Sequence, residues 1–160
     1  MEVGIMKINV IKTQTPKVKP DPNALGFGKH FTDHMFVMDY IKGQGWVNPQ
    51  IMPYQPLPMD PACMVFHYAQ EIFEGLKAYK TADGGIQLFR PFDNIRRMNE
   101  SGDRLCIPAL DVDFAVEAIK ELVAVDSDWI PTQPGTSLYI RPFIIATDNA
   151  LGVHASATYK

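Results

Sequence analysis

The chain has 160 residues, which is enough for one domain of ordinary size that buries roughly two thirds of its unfolded surface. An apolar content of 46% and a charged content of 21% are typical of a globular protein. The formal net charge of −3 argues against nucleic-acid and anionic-membrane partners. Cys63 and Cys106 match neither a disulfide framework nor a metal site. With no signal peptide and no apolar run of roughly 20 residues, we expect a cytoplasmic protein.

The first part of the chain is predicted to form a strand, an arm and a hairpin. Residues 5–11 alternate between apolar and polar side chains, which predicts a short strand. Residues 13–23 contain three prolines, so we expect residues 1–24 to end in an arm that lies on the surface. Residues 31–41 are rich in aromatic and β-branched side chains and are followed by glycines at 43 and 45. This pattern predicts a hairpin.

The middle of the chain contains the clearest turn. Prolines between 49 and 61 predict an irregular connector, after which residues 62–68 are predicted to form a strand. Residues 76–81 and 86–90 flank the sequence Ala-Asp-Gly-Gly, and its glycines adopt positive φ at low cost. A second hairpin is therefore predicted there.

Two helices are predicted next, before the chain returns to extended structure. Asp93 is the expected N-cap of a helix that ends near Leu105, and Asp111 or Asp113 is the expected N-cap of the second helix. Residues 136–147 are predicted to form one long strand, residues 149–153 a loop, and residues 155–160 the start of another strand. The order of elements predicts an α+β fold, with an antiparallel sheet and helices packed on one face.

Sequence patterns alone identify few candidate sites. His30 and His34 would suit a metal only on a helix, and their segment is predicted to be a strand, so no metal site is expected. Tyr139 and Arg141 lie on one face of a predicted strand, where they would bind a carboxylate or form a polar surface. Arg97 would hold an anion or be solvated. A single glutamate before a glycine, Glu74, is weak evidence for a catalytic carboxylate.

Five blocks in order resemble the branched-chain amino acid aminotransferases, which are fold-type IV pyridoxal-phosphate enzymes. The blocks contain the residues 27–35 (FGKHFTDHM), 67–79 (HY and FEGLKAY), 88–108 (LFRP, N, RM and RLCIP), 139–142 (YIRP) and 151–153 (LGV). The resemblance covers residues 25–160 and implies the small N-terminal domain of such an enzyme. The C-terminal domain, which carries the cofactor-bonding lysine, is absent from this chain.

The resemblance implies roles for individual residues. Arg97 matches the arginine that contacts the cofactor phosphate. The remaining matches belong to the substrate pocket: Phe27 and Tyr68 as walls for the aliphatic side chain, Tyr139 and Arg141 on a strand that faces the site, and Leu151 and Val153 on a loop that closes the neighbouring subunit's pocket. None of the matched residues is catalytic.

The activity implied for the intact protein is transfer of the amino group of leucine, isoleucine or valine to 2-oxoglutarate in a homodimer that uses pyridoxal phosphate. This chain alone is expected to be inactive and not to hold the cofactor. The alternatives are a D-amino acid aminotransferase, an aminodeoxychorismate lyase, or a non-catalytic module for dimerisation or binding.

Overall fold

A computed structural model describes residues 6–160, which form an α+β fold as predicted. The strands are β1 (Asn9–Val10), β2 (His34–Ile41), β3 (Gly45–Pro53), β4 (Glu71–Phe73), β5 (Leu76–Lys80), β6 (Ile86–Leu88), β7 (Leu138–Ile140), β8 (Phe143–Ile145) and β9 (Thr158–Tyr159). The helices are α1 (Met64–Tyr68), α2 (Pro91–Arg104) and α3 (Val112–Val125), and a 3₁₀ turn covers Ser127–Trp129. The predicted strand at 5–11 begins outside the described residues and is represented by β1.

The described strands divide among three sheets rather than one. Their orders are β1-β3-β2-β9, β4-β8 and β6-β5-β7. All pairings are antiparallel except that of β1 with β3. Both predicted hairpins are present, as β2-β3 and β5-β6, and Gly84 has a φ of +85° in the second turn.

The prediction of a strand over residues 62–68 is wrong, because most of this stretch forms helix α1. The amide of Met64 donates to the carbonyl of Asp148 at 2.9 Å, so contact with a distant segment holds the start of the helix. Ala69 ends it in the left-handed conformation with a φ of 49°. A stretch this short carries too little periodicity to separate a strand from a helix.

The predicted strand over residues 136–147 is broken at Arg141 and Pro142. The segment before the break, β7, pairs with β5, and the segment after it, β8, pairs with β4. Proline has no N–H to donate to a ladder, so pairing is interrupted there. The partner strands β4 and β5 are separated at the same level by Glu74 and Gly75. The Glu74 amide donates a hydrogen bond to the Pro142 carbonyl at 2.9 Å.

The predicted N-cap is correct for helix α3 and wrong for helix α2. Asp111 caps α3, and its carboxylate accepts a hydrogen bond from the Phe114 amide at 2.8 Å. Helix α2 begins two residues before Asp93, at Pro91, where the ring's fixed φ suits the first helical position. Asp93 is in the first turn and pairs with Arg90 and Arg96 instead of capping the helix.

Helix α2 contributes to both hydrophobic clusters of the fold. Ile95 packs with residues of β5 and α3 in one cluster, and Met98 packs with residues of α1, β4, β8 and β9 in the other. Both side chains are almost completely buried. Arg97 lies between them in sequence and projects to the surface, so both clusters fix its backbone position.

Residues 13–23 lie on the surface, and buried side chains of the fold hydrogen-bond to their backbone. The Thr13 amide donates to Nε2 of His34 at 2.9 Å, and the Lys17 amide donates to Oδ1 of Asp33 at 2.8 Å. Since Nε2 of His34 accepts, Nδ1 carries the proton and donates to Asp126 at 2.6 Å. This histidine therefore has a structural role. Among the described residues no group of three or more side chains could hold a metal ion, and no helix is long and apolar enough to span a membrane.

Replacement of Asp126 with asparagine tests this anchor. Asp126 accepts from both the backbone amide and the ring of His34, and it is buried. An amide would place a donor against the His34 ring, so we expect D126N to lower the free energy of unfolding by about 1–3 kcal/mol. Asp128 is exposed, and within the described part of the chain it pairs with Lys19 alone, so D128N should change the free energy of unfolding by less than about 0.5 kcal/mol. Equal effects in urea unfolding would contradict the assigned role.

Candidate active site

A bidentate ion pair joins helix α2 to the link between β4 and β5. Nε of Arg97 donates to Oε1 of Glu74 at 2.5 Å, and Nη2 donates to Oε2 at 2.7 Å. The Glu74 side chain is only 7% exposed, whereas that of Arg97 is 63% exposed. The guanidinium therefore lies at the surface over a buried carboxylate.

Both oxygens of the Glu74 carboxylate are hydrogen-bonded. Besides the two bonds from Arg97, its Oε2 accepts from the Gly75 amide at 3.0 Å and from Nδ2 of Asn94 at 3.1 Å. The hydrogen bonds from Arg97 lower the pKa of Glu74 to about 2, and those from Gly75 and Asn94 act in the same direction against the effect of burial. Glu74 is therefore charged at neutral pH and is a poor acceptor for a proton.

Gly75 connects this ion pair to Tyr139. A Cβ atom on Gly75 would lie 2.1 Å from the Tyr139 hydroxyl oxygen, so the phenol occupies the space that any other residue would need. The hydroxyl accepts from Nη2 of Arg141 at 3.0 Å. Glu74 and Gly75 thus separate two exposed guanidinium groups, those of Arg97 and Arg141.

Aromatic rings surround the Arg141 guanidinium, and Phe27 extends the cluster. The guanidinium carbon lies 4.3 Å from the ring centroid of Phe73 and 5.2 Å from that of Tyr139. The Phe27 ring meets that of Tyr139 edge-on, with a centroid separation of 5.0 Å. Phe27 projects from a loop in which the glycines at 26 and 28 have positive φ, and it is 69% exposed. This arrangement of cation and rings suits a ligand with a carboxylate and an apolar part.

Tyr68, Leu151 and Val153 form a second group. The Tyr68 hydroxyl donates to the Leu151 carbonyl at 2.5 Å, which joins the end of α1 to the predicted loop. Asp148 holds the base of this loop by accepting from the Ala157 amide at 3.2 Å. The side chains of Leu151 and Val153 point outward, and Val153 is 90% exposed.

The structure therefore brings three of the seven predicted site residues, Phe27, Tyr139 and Arg141, into contact and connects Arg97 to them through Glu74 and Gly75. The other three, Tyr68, Leu151 and Val153, lie in a separate group. Within residues 6–160, no hydrogen bond or ring contact joins the two groups. Two surface concavities, of about 500 and 440 Å³, contain none of them. Sequence analysis considered Glu74 only as a weak candidate for a catalytic carboxylate and missed its pairing with Arg97. Its carboxylate precedes a glycine, but its partner lies 23 residues away, and nothing local indicates the pairing.

Comparison with known proteins identifies the family. No protein-family model matches the chain. It is 62% identical over 153 residues to branched-chain-amino-acid aminotransferase 2 of Bacillus subtilis (strain 168), and 49% identical over 153 residues to a probable branched-chain-amino-acid aminotransferase of Staphylococcus aureus (strain N315). Each match covers 96% of this chain and 42% of the relative. The chain belongs to the branched-chain aminotransferase family.

The chain thus spans less than half the length of the curated relatives that it matches, and it corresponds to their N-terminal part. Solved structures show the same fold. The branched-chain amino acid aminotransferase of T.th., complexed with N-(5'-phosphopyridoxyl)-L-glutamate, superposes with a TM-score of 0.53 at 27% identity, covering 76% of this chain and 39% of that one. The Escherichia coli branched-chain amino acid aminotransferase has a TM-score of 0.55 at 20% identity, over 78% and 39%.

Replacing Glu74 with glutamine tests the ion pair through the pH dependence of stability. The folded pKa of about 2 is below the ordinary 4.5, so the charged carboxylate stabilises the fold above about pH 4.5 and loses this effect as the pH falls towards 2. Because Arg97 is exposed, we expect E74Q to cost only about 1–3 kcal/mol at pH 7 and progressively less in acid. Urea unfolding at pH 7 and pH 3 measures this, with the exposed Glu71→Gln as control. A deficit that is constant with pH would contradict the prediction.

Gly75→Ala tests the close approach of Tyr139. The new methyl group overlaps the phenol oxygen, so the ring must move away from Gly75, at a cost of about 1–3 kcal/mol. A methyl group on Gly152 would have its nearest neighbour at 3.8 Å, so Gly152→Ala is the matched control and should be close to neutral. The ring resonances of Phe27 and Tyr139 in NMR spectra should shift in the first variant alone. Unchanged spectra for Gly75→Ala would refute the contact.

Proposed function

We propose that residues 25–160 are the small domain of an enzyme that transfers the amino group of leucine, isoleucine or valine to 2-oxoglutarate, with pyridoxal phosphate as cofactor. Residues 1–24, which the sequence predicts to be a strand and a surface arm, would precede this domain. One observation carries the proposal: Glu74 and Gly75 hold two exposed arginines, Arg97 and Arg141, on either side of one short link. A phosphate and a carboxylate are the anions that such a pair would receive.

The residues present fit the phosphate of the cofactor. Nη1 of Arg97 makes no hydrogen bond within the described residues, and the guanidinium keeps its charge because its hydrogen bonds to Glu74 raise its pKa. When bound, pyridoxal phosphate supplies an electron sink for the charge that develops on the substrate Cα. Arg97 would hold its phosphate, and no residue of this chain is assigned to the proton transfer.

The remaining predicted residues would shape the side-chain pocket. Tyr139 and Arg141 would orient a substrate carboxylate, since guanidinium donors match its two oxygens. Phe27 and Tyr68 would receive an aliphatic side chain, whose burial contributes about 1.5–3 kcal/mol. One methylene is discriminated weakly in such a pocket, so all three branched-chain amino acids would be accepted.

A homodimer is part of the proposal. Phe27, Leu151 and Val153 are exposed apolar side chains on loops, at 69%, 64% and 90%. Apolar groups exposed in this way are typical of surfaces that another subunit or domain covers. Leu151 and Val153 would close the partner's pocket, and Tyr139 would reach it across the interface. A cytoplasmic location stays a prediction.

A chimera tests the activity. We expect residues of this chain, grafted onto the Bacillus subtilis aminotransferase 2 in place of the matching 153 residues, to support transamination of leucine, isoleucine and valine with 2-oxoglutarate. In the chimera, Arg97→Met should weaken binding of pyridoxal phosphate by roughly 10- to 100-fold, because a hydrogen bond to a charged group contributes about 1.5–3 kcal/mol. Arg96→Met is the matched control, since Arg96 pairs with Asp93 at the surface and, among residues 6–160, with no other carboxylate.

Three outcomes would contradict the proposed function. A folded chimera that uses D-alanine and not L-leucine would favour a D-amino acid aminotransferase. A folded and dimeric chimera with no transaminase activity would favour a binding or dimerisation module. Equal affinities for the cofactor in the Arg96 and Arg97 variants would remove Arg97 from the phosphate site.

A further inference from the structure

The Glu74–Arg97 pair uses only one side of the guanidinium group. Arginine has five N–H donors, and two edges of the group present paired donors. Glu74 occupies the edge formed by Nε and Nη2. The other edge, formed by Nη1 and the second proton of Nη2, has no hydrogen-bond partner within residues 6–160 and belongs to a side chain that is 63% exposed. A second anion can therefore bind without displacing Glu74.

The carboxylate that holds this edge is itself immobile. It is buried, and it is bound by a backbone amide of the β4–β5 link and by Asn94 of α2, one helical turn before Arg97. Nδ2 of Asn94 also donates to the Gly75 carbonyl at 3.2 Å. A free arginine side chain carries about 2 kcal/mol of rotamer entropy, which an unsupported anion site would lose on binding. Support from a rigid carboxylate removes much of that cost before the ligand arrives.

We propose that Glu74 is a positioning residue, which fixes the guanidinium of Arg97 so that its free edge receives a phosphate group. The assignment of that phosphate to a cofactor rests on the proposed function. The positioning itself is a property of this chain and is tested without transamination.

The negative charge of Glu74 and its proposed positioning role predict opposite effects on the affinity for an anion. As a negative charge beside the site, Glu74 repels phosphate, and its removal would strengthen binding. As the support of the guanidinium, it favours binding, and its removal would weaken it. Glu100 provides the matched comparison, because it lies three residues after Arg97 on the same helix and acts on it through charge rather than through a hydrogen bond.

The experiment is a titration of the 160-residue chain with inorganic phosphate, followed by the Nε–H resonances of its arginines in NMR spectra. In the wild type we expect the Arg97 resonance to be shifted and protected from exchange by Glu74, and to move on addition of phosphate. In Glu74→Gln we expect the Arg97 resonance to lose its protection from exchange. Phosphate should bind about tenfold more weakly, which corresponds to the lower end of the range for a hydrogen bond to a charged group. Glu100→Gln should leave the protection intact, with binding unchanged or slightly tighter.

Asn94→Ala gives a second measurement in case Glu74→Gln does not fold. It removes one bond to the carboxylate and keeps the ion pair, so we expect a smaller loss, of about three-fold, in phosphate affinity. Arg97→Lys keeps the charge and lacks the paired donors, so it should bind phosphate more weakly than the wild type.

Several results would overturn the inference. They are tighter binding by Glu74→Gln, equal binding by Glu74→Gln and Glu100→Gln, or a wild-type Arg97 resonance that phosphate does not move. If phosphate binding depends on Glu74 as expected while the grafted chimera is inactive, the positioning role stands and the proposed transaminase activity fails.

Discussion

The buried carboxylate of Glu74 is the constraint on which this part of the structure depends. A charge removed from water must be paired and hydrogen-bonded, or it destabilises the fold by several kcal/mol. Here the requirement is met by Arg97, Asn94 and the Gly75 amide, which fixes helix α2 against the β4–β5 link. The interruption of strand pairing at Glu74 and Gly75, opposite Arg141 and Pro142, leaves the backbone amide and carbonyl of Gly75 free to bind the side chains of Glu74 and Asn94. The irregularity in the strands is thus a condition for the ion pair.

The same link separates two cationic groups that have no shared counter-ion among the described residues. Arg97 is paired with Glu74, whereas Arg141 is held by the Tyr139 hydroxyl and lies over the Phe73 ring. Each guanidinium is oriented by a different kind of partner, and both are exposed to a ligand. This arrangement is consistent with the proposed function, in which the substrate and the cofactor both carry negative charge.

The sequence predicts the elements whose signals are local and fails where distant contacts decide. The Asp111 cap, the glycines of the β5–β6 turn and the α+β class all follow from short patterns. The stretch 62–68 is mistaken for a strand because helix α1 depends on Asp148, which is far away in the chain. Pro142 is a local signal for the break after β7. No local signal indicates that β7 and β8 pair with different strands. The roles predicted for the seven site residues come from family resemblance, although strand alternation alone had already placed Tyr139 and Arg141 on one face. The pairing of Glu74 with Arg97 follows from neither signal.

Helix α2 has a consequence for how the domain responds to heat and to mutation. Since Ile95 belongs to one hydrophobic cluster and Met98 to the other, the helix cannot leave one cluster without leaving the other. The parts of the domain built on the two clusters are therefore expected to unfold as one cooperative unit, with slowly exchanging amides along the whole of helix α2. A cavity made in either hydrophobic cluster would therefore destabilise helix α2. Core substitutions in either cluster would thus also disturb Arg97, the residue proposed to bind phosphate.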